Sequence, residues 1–353
     1  MKIGKILNHL ENIAPGIYQE SYDNSGLIVG DRNTNVESAL ICLDSTENVI
    51  DEAIKQKCKL VIAHHPIVFS GLKSISRSDY IGRVLIKAIK NDIAIYSIHT
   101  NLDNVANGVN KMIADKLKLK NCKILAPKLD TLYKITFRTQ VEENEKIGGE
   151  IDAAIKSEFD HFTIEDFNVV GISQEKTNGR SVSMIKTEIC YPKDRHSMVM
   201  KKASIINEEF GTTFEISELQ TPNVNIGSGM IGELKKEMNE TEFLGYLKKQ
   251  LEVEVIRHTG LLRKKVRKIA ICGGSGSFLL NKAIQTGADF FISADFKYHQ
   301  FFDADGKIVV ADIGHFESEK FTRQLLFNYL SEKFPNFAFR LSRINTNPIK
   351  YFK

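Results

Sequence analysis

The chain has 353 residues, 42% of them hydrophobic and 26% charged, with a formal net charge of +4. No apolar run approaches the ~18 residues that a membrane span needs, and the composition is that of an ordinary globular protein, so neither membrane insertion nor intrinsic disorder is expected. The lysines are scattered, without the basic footprint of a nucleic-acid binder, and the length exceeds one ordinary core, so two or more domains are expected and nucleic acid is not an expected partner.

The opening Met1-Lys2-Ile3-Gly4-Lys5-Ile6-Leu7 runs directly into His9, Glu11 and Asn12. It lacks the unbroken apolar core of a secretory signal, so a cytoplasmic location is expected. Cys42, Cys58, Cys122, Cys190 and Cys272 contain no C-x-x-C pair. That argues for buried free thiols over a disulfide framework or a thiolate zinc site.

Apolar runs at 38–44 and 59–63 read as buried strands flanking a helix over Glu47–Lys57, a βαβ unit. A helix around Ile81–Lys90, a strand at Ile93–Ser97 and a helix over Gly108–Leu117 continue the alternation. From Leu132 the order changes to a strand (Tyr133–Thr139), a helix (Glu142–Ser157), two strands (Phe162–Ile172 and Ser181–Cys190), a helix (Arg195–Phe210) and a strand (Thr213–Leu219). This βαββαβ order is that of a ferredoxin-like module. After Pro222 and the glycines at 227, 229 and 232, α/β alternation resumes with strands Lys268–Cys272, Phe290–Ser293 and Ile308–Asp312. The expected architecture is a split α/β core, residues 1–130 and 223–353, with a ferredoxin-like domain at 131–222 inserted between its halves.

Polar side chains stand where the buried strands end. Val61-Ile62-Ala63-His64-His65-Pro66 leaves a strand with two imidazoles and meets a proline that keeps His65 extended. Successive residues on an extended chain face opposite ways, so two adjacent histidines serve two neighbouring ions better than one. A structural role for one of them and solvent exposure for the other is the alternative. The strand at Ile93–Ser97 exits into His99-Thr100-Asn101-Leu102-Asp103, where Asp103 suits a turn or helix cap as well as a ligand. The third exit, Asp312-Ile313-Gly314-His315-Phe316-Glu317-Ser318-Glu319, puts His315 and Glu319 on one helical face, at i and i+4. Each alone also fits a surface pair; together the three exits converge where open α/β sheets hold ligands.

Sharing Glu319 assigns His65 and Asp103 to one ion and His64 and His315 to the other, with open positions on both. Nitrogen and oxygen donors without sulfur suit zinc or iron, with manganese, cobalt and nickel also compatible. His299 and His99 are the candidates for acid/base or supporting work beside the metals, with Lys297 and Tyr298 as neighbours. The Gly273–Gly276 turn fits either tight packing or an anion cradle.

The strings Asp23-Asn24-Ser25-Gly26-Leu27, His64-His65-Pro66, His99-Thr100-Asn101-Leu102-Asp103, Asp295-Phe296-Lys297-Tyr298-His299 and Gly314-His315-Phe316-Glu317-Ser318-Glu319 occur in an order that resembles the Nif-three-like (NGG-interacting-factor-three-like) dinuclear-metal family. The resemblance covers roughly residues 1–130 and 223–353. It implies a toroidal homohexamer with metal pairs held by His64, His65, Asp103, His315 and Glu319, a PII/CutA-like insert, and the name GTP cyclohydrolase 1 type 2 homologue. Two positions depart from the family pattern: no arginine follows the glycines near Gly229–Gly232, and Ala294 replaces the usual glycine before Asp295. Two functions follow as expectations. One is a metal-dependent hydrolase acting on a nucleotide or another phosphate-containing small molecule. The other is a non-catalytic metal-binding hexameric scaffold with the insert as effector sensor.

Overall fold

The structure, a computed structural model, describes residues 1–141, 153, 155, 157–159, 169–177 and 180–352. The chain divides into two compact units, Met1–Pro127 with Val224–Lys353, and Lys128–Asn223. In chain order the strands are β1 (Gly26–Val29), β2 (Ser38–Cys42), β3 (Leu60–Ala63), β4 (Ala94–Ser97), β5 (Lys120–Pro127), β6 (Leu132–Val141), β7 (Val169–Thr177), β8 (Arg180–Pro192), β9 (Thr213–Leu219), β10 (Gly227–Asn239), β11 (Arg257–His258), β12 (Lys265–Ser275), β13 (Phe290–Ala294), β14 (Val309–Asp312) and β15 (Ala338–Leu341).

The first unit contains two sheets, β1-β4-β3-β2-β15 and β11-β14-β13-β12-β10-β5. Within them β15, β2, β3 and β4 are parallel, and so are β12, β13 and β14. Both faces of β2, β3, β4, β13 and β14 are covered, which is why they read as apolar runs. Ala39, Ile41, Leu60 and Ile62 enter a central core shared with Ile269, Ile271, Phe290 and Ile292 of the other sheet. The same core takes the apolar faces of helices Ile3–Ile13, Val109–Lys116, Glu240–Gln250 and Thr322–Lys333. The alternate residues Leu40, Val61 and Ile95 pack outward with Val49, Ile50, Val84 and Leu85, which come from helices Glu47–Lys55 and Tyr80–Lys90. Those two helices start on side-chain caps, Thr46 accepting from Val49 N and Asp79 from Gly82 N.

The glycines at 227, 229 and 232 lie within a long strand not among the expected ones, β10, which pairs with β5 on one side and β12 on the other. A side chain on Gly229 would stand 2.8 Å from both the Ile271 carbonyl and Leu279, and one on Gly232 would stand 2.9 Å from Cys122 Sγ. Close strand approach, and not chain flexibility, requires glycine at these positions.

The second unit has one antiparallel sheet, β7-β8-β6-β9. Helix His196–Phe210 contributes Val199, Ala203 and Ile206 to a core with Ile135, Phe137, Ile155, Phe159, Ile189 and Tyr191. Most of the expected helix Glu142–Ser157 and the start of the expected strand Phe162–Ile172 lie outside the described residues. Among the described residues no helix is long and apolar enough to cross a membrane.

Candidate metal centre

The site lies at the carboxyl ends of both sets of parallel strands in the first unit. Asp44 follows β2, His64 and His65 follow β3, and His99 to Asp103 follow β4. From the other sheet, Gly273 and Gly274 end β12, Asp295 follows β13, and His315 and Glu319 follow β14.

Register fixes the first imidazole. Ala63 pairs with Ser97 across β3 and β4, and fully buried His64 then donates from Nδ1 to the Ile98 carbonyl at 2.8 Å. The remaining nitrogen, Nε2, therefore carries a lone pair. It faces Asp103 Oδ1 at 3.7 Å and Glu319 Oε1 at 3.9 Å. Neither His64 Nε2 nor Asp103 Oδ1 has a hydrogen-bond partner, although both atoms are buried. Buried acceptors that face one another are reconciled by a cation between them, a proton or a metal ion.

His65 is held at Nδ1 by Asp44 Oδ1 at 2.7 Å and presents Nε2 to Glu319 Oε2 at 2.9 Å. His315 is held the same way, with Nδ1 on Asp295 Oδ2 at 2.6 Å and Nε2 on Glu319 Oε2 at 3.0 Å. The two Nε2 atoms are 3.3 Å apart. The shared carboxylate thus divides its oxygens between a His64–Asp103 side and a His65–His315 side, and each three-residue group is close enough to hold one ion. This grouping differs from the expected pairing of His65 with Asp103 and His64 with His315. The Ile98 carbonyl and Asp44 set which nitrogen each ring presents, and neither is a sequence neighbour of the histidines.

The electrostatics follow from burial and these pairings. Burial holds His64 below the usual imidazole range, so it stays neutral. Burial also acts to lower His65 and His315, but Glu319 with Asp44 pushes His65 up to about 10, and Glu319 with Asp295 pushes His315 up to about 11. Glu319 is held well below the carboxylate range: burial opposes this, but His315 and His65 outweigh it. Asp103 is pushed well above that range, first by burial and then by Glu319.

The glycine turn serves the site by leaving space. Gly274, at φ +61°, lies where a Cβ would run into Glu319 Oε1. Its N–H donates to Ser318 Oγ and that of Gly273 to Asn110 Oδ1, each at 2.9 Å. These contacts fit the tight-packing reading of the turn. Asn110 also donates to the Asp103 carbonyl at 3.0 Å, tying that segment to the turn.

His99 joins His64 and His65 in a further three-histidine group, and Asp23 Oδ1 holds its Nδ1 at 2.8 Å. His299 is not brought to the cluster. It sits on the helical turn Tyr298–Ala304, its ring against Tyr298 and Phe302, and neither it, Lys297 nor Tyr298 lines the cavity. Sequence reasoning gave no role to Asp23, Asp44 and Asp295, the carboxylates that orient the imidazoles. Asp23 and Asp295 do fall inside the strings that carry the family resemblance. The cavity around the cluster measures about 650 Å³. None of the described residues lining it is a lysine or arginine.

A model of the Duf34/NIF3 (NGG1p interacting factor 3) family matches residues 1–348. A Staphylococcus epidermidis protein named GTP cyclohydrolase 1 type 2 homolog is 33% identical over 368 residues, covering 99% of this chain and 100% of its own. The solved structure of a Bacillus cereus protein related to NIF3 superimposes with a TM-score of 0.82 at 30% identity, covering 100% of this chain and 99% of that one. A Staphylococcus aureus structure gives the same TM-score of 0.82 at 28% identity, with the same coverage of 100% and 99%.

Proposed function

The chain belongs to the Duf34/NIF3 family, and we propose that it is a metal-dependent hydrolase of a small molecule, with its centre at His64, His65, Asp103, His315 and Glu319. One observation carries the reading: His64 Nε2 and Asp103 Oδ1 are buried face to face at 3.7 Å without partners. Leaving them so costs about 1–3 kcal/mol for each group, and a cation removes that cost. We assign one divalent ion to His64, Asp103 and Glu319 Oε1, and a second to His65, His315 and Glu319 Oε2. The donors are nitrogen and oxygen, which suits zinc or iron, with manganese, cobalt and nickel also compatible. Bound ions supply Lewis acidity and water activation at neutral pH.

The chain's own residues do the rest. Asp44 and Asp295 hold His65 and His315 in one tautomer, with Nε2 toward the shared carboxylate. We assign proton transfer to His99. Its ring lines the cavity and Asp23 fixes it at Nδ1, and backbone and side-chain donors hold the Asp23 carboxyl well below its usual range. The relatives' name points to hydrolytic opening of a heterocyclic ring, and the proposal carries that reaction type over to this chain. A homohexameric assembly, a cytoplasmic location and a ferredoxin-like character for the unit Lys128–Asn223 belong to the same proposal; the sheet order β7-β8-β6-β9 supports the last.

The test is turnover of GTP and related nucleotides by protein reconstituted with each candidate metal, beside His64→Ala and Glu319→Ala. Metal-dependent turnover lost in both variants supports the reading. Tight metal binding without turnover of any substrate would instead favour a non-catalytic scaffold.

A further inference from the structure

Four aromatic side chains that the first unit leaves at least half exposed line this cavity: Tyr22 (67%), Phe69 (51%), Tyr80 (60%) and Phe278 (68%). Residues both lining and exposed form the mouth of a cavity rather than its floor. The Phe69 ring meets His99 edge-on at 5.6 Å, so the aromatic mouth is continuous with the histidines. The volume, about 650 Å³, is that of a small-molecule site.

Sites for polyphosphates supply lysine, arginine or free backbone N–H groups. The described lining holds no lysine or arginine, and the Gly273 and Gly274 N–H groups are taken by Asn110 and Ser318. Apart from the cluster's own residues, the charged side chain on the described lining is Glu20. At the cluster, the carboxylates of Asp44, Asp103, Asp295 and Glu319 would already balance a pair of divalent ions, leaving no surplus positive charge for a multiply charged tail.

We propose that the cavity takes a flat heteroaromatic molecule without a polyphosphate tail, its ring against Phe69, Tyr80 and Phe278 and its polar edge toward the cluster. The proposal rests on reading the cluster as a metal site and narrows the substrate class of that reading: a free base or nucleoside suits the lining, and a nucleoside triphosphate does not.

Equilibrium dialysis of the metal-reconstituted protein with guanosine, GMP and GTP tests it, in the wild type and in Tyr80→Ala and Phe278→Ala. Guanosine is expected to bind at least as tightly as GTP, and each substitution to weaken it about tenfold while metal content stays constant. GTP binding tenfold or more tighter than guanosine, no binding of guanosine, or unchanged binding in both variants would overturn the proposal. The readout is binding, so absence of hydrolysis would count against the enzyme reading alone. A hydrolase that prefers GTP would uphold that reading and refute this one.

Discussion

Gly274 lies against Glu319 so closely that a methyl group on the glycine would run into the carboxylate. Gly274→Ala is therefore expected to lower metal content as well as stability, the second by about 1 kcal/mol from the left-handed backbone alone. Gly211 is the control: it has a nearly equal φ of +62° but nothing within 4 Å of a Cβ. Gly211→Ala should show the backbone cost in a thermal melt and keep its metal. Equal metal content in the two variants would refute the spacing role of Gly274.

The division of oxygens on Glu319 gives a stoichiometric prediction. Glu319→Gln should lose both ions, whereas Asp103→Asn should lose mainly the one on the His64 side and retain about half the wild-type content. Elemental analysis of dialysed protein reads this directly. Equal losses in the two variants would remove the assignment of one ion to each oxygen.

Without metal, Asp103 is a liability. Its carboxyl lies well above the usual range, so the folded state holds that proton more tightly than the unfolded chain does. Metal-free stability should then fall as pH rises above the unfolded carboxyl value of about 4. Asp103→Asn should raise the melting temperature of chelator-treated protein at pH 7 by about 2 °C, for a gain on the order of 1 kcal/mol, and should have little effect near pH 4. Lower stability of the metal-free variant at pH 7 would show that the carboxylate has a partner after all.

His65 and His315 carry the opposite sign. Their values of about 10 and about 11 lie above the unfolded imidazole value, so their contribution to metal-free stability is fully present below about 6.5 and is lost as pH rises through 10 to 11. Metal must displace these protons, so uptake at pH 7 should release protons and affinity should rise with pH. Calorimetry in two buffers of different ionisation enthalpy measures the release; identical heats in both would contradict it.

Gly227 of β10 pairs with Pro127 of β5, so the chain leaves and rejoins the first unit at neighbouring positions. Replacing residues 131–222 by a short Gly/Ser linker is therefore expected to leave a folded, metal-binding protein, because all five candidate ligands lie outside that span. Loss of metal from a soluble, helical deletion variant would mean that the second unit shapes the site.

Much of this was legible in the sequence. β2, β3, β4, β12, β13 and β14 announce themselves because burial on both faces leaves unbroken apolar runs, and the polar residues after three of them are the ones the structure gathers. β10 was hidden because its glycines look like a linker until the neighbouring Ile271 carbonyl and Cys122 are in view. The grouping of ligands was hidden for a related reason: a ring's orientation depends on its far nitrogen, and the Ile98 carbonyl and Asp44 are distant in the chain from the histidines they orient. A single aspartate after a strand reads as a turn residue, so Asp44 and Asp295 passed without a role.

The shared carboxylate sits 254 positions after His65. On the ribosome, His64, His65 and Asp103 emerge long before Glu319, and during that interval the growing chain has only part of the donor set. Neither candidate group can be complete until the helix His315–Glu319 has been made. Any metal uptake would thus wait until that helix has emerged and joined the histidines and Asp103, which come from strand ends made far earlier.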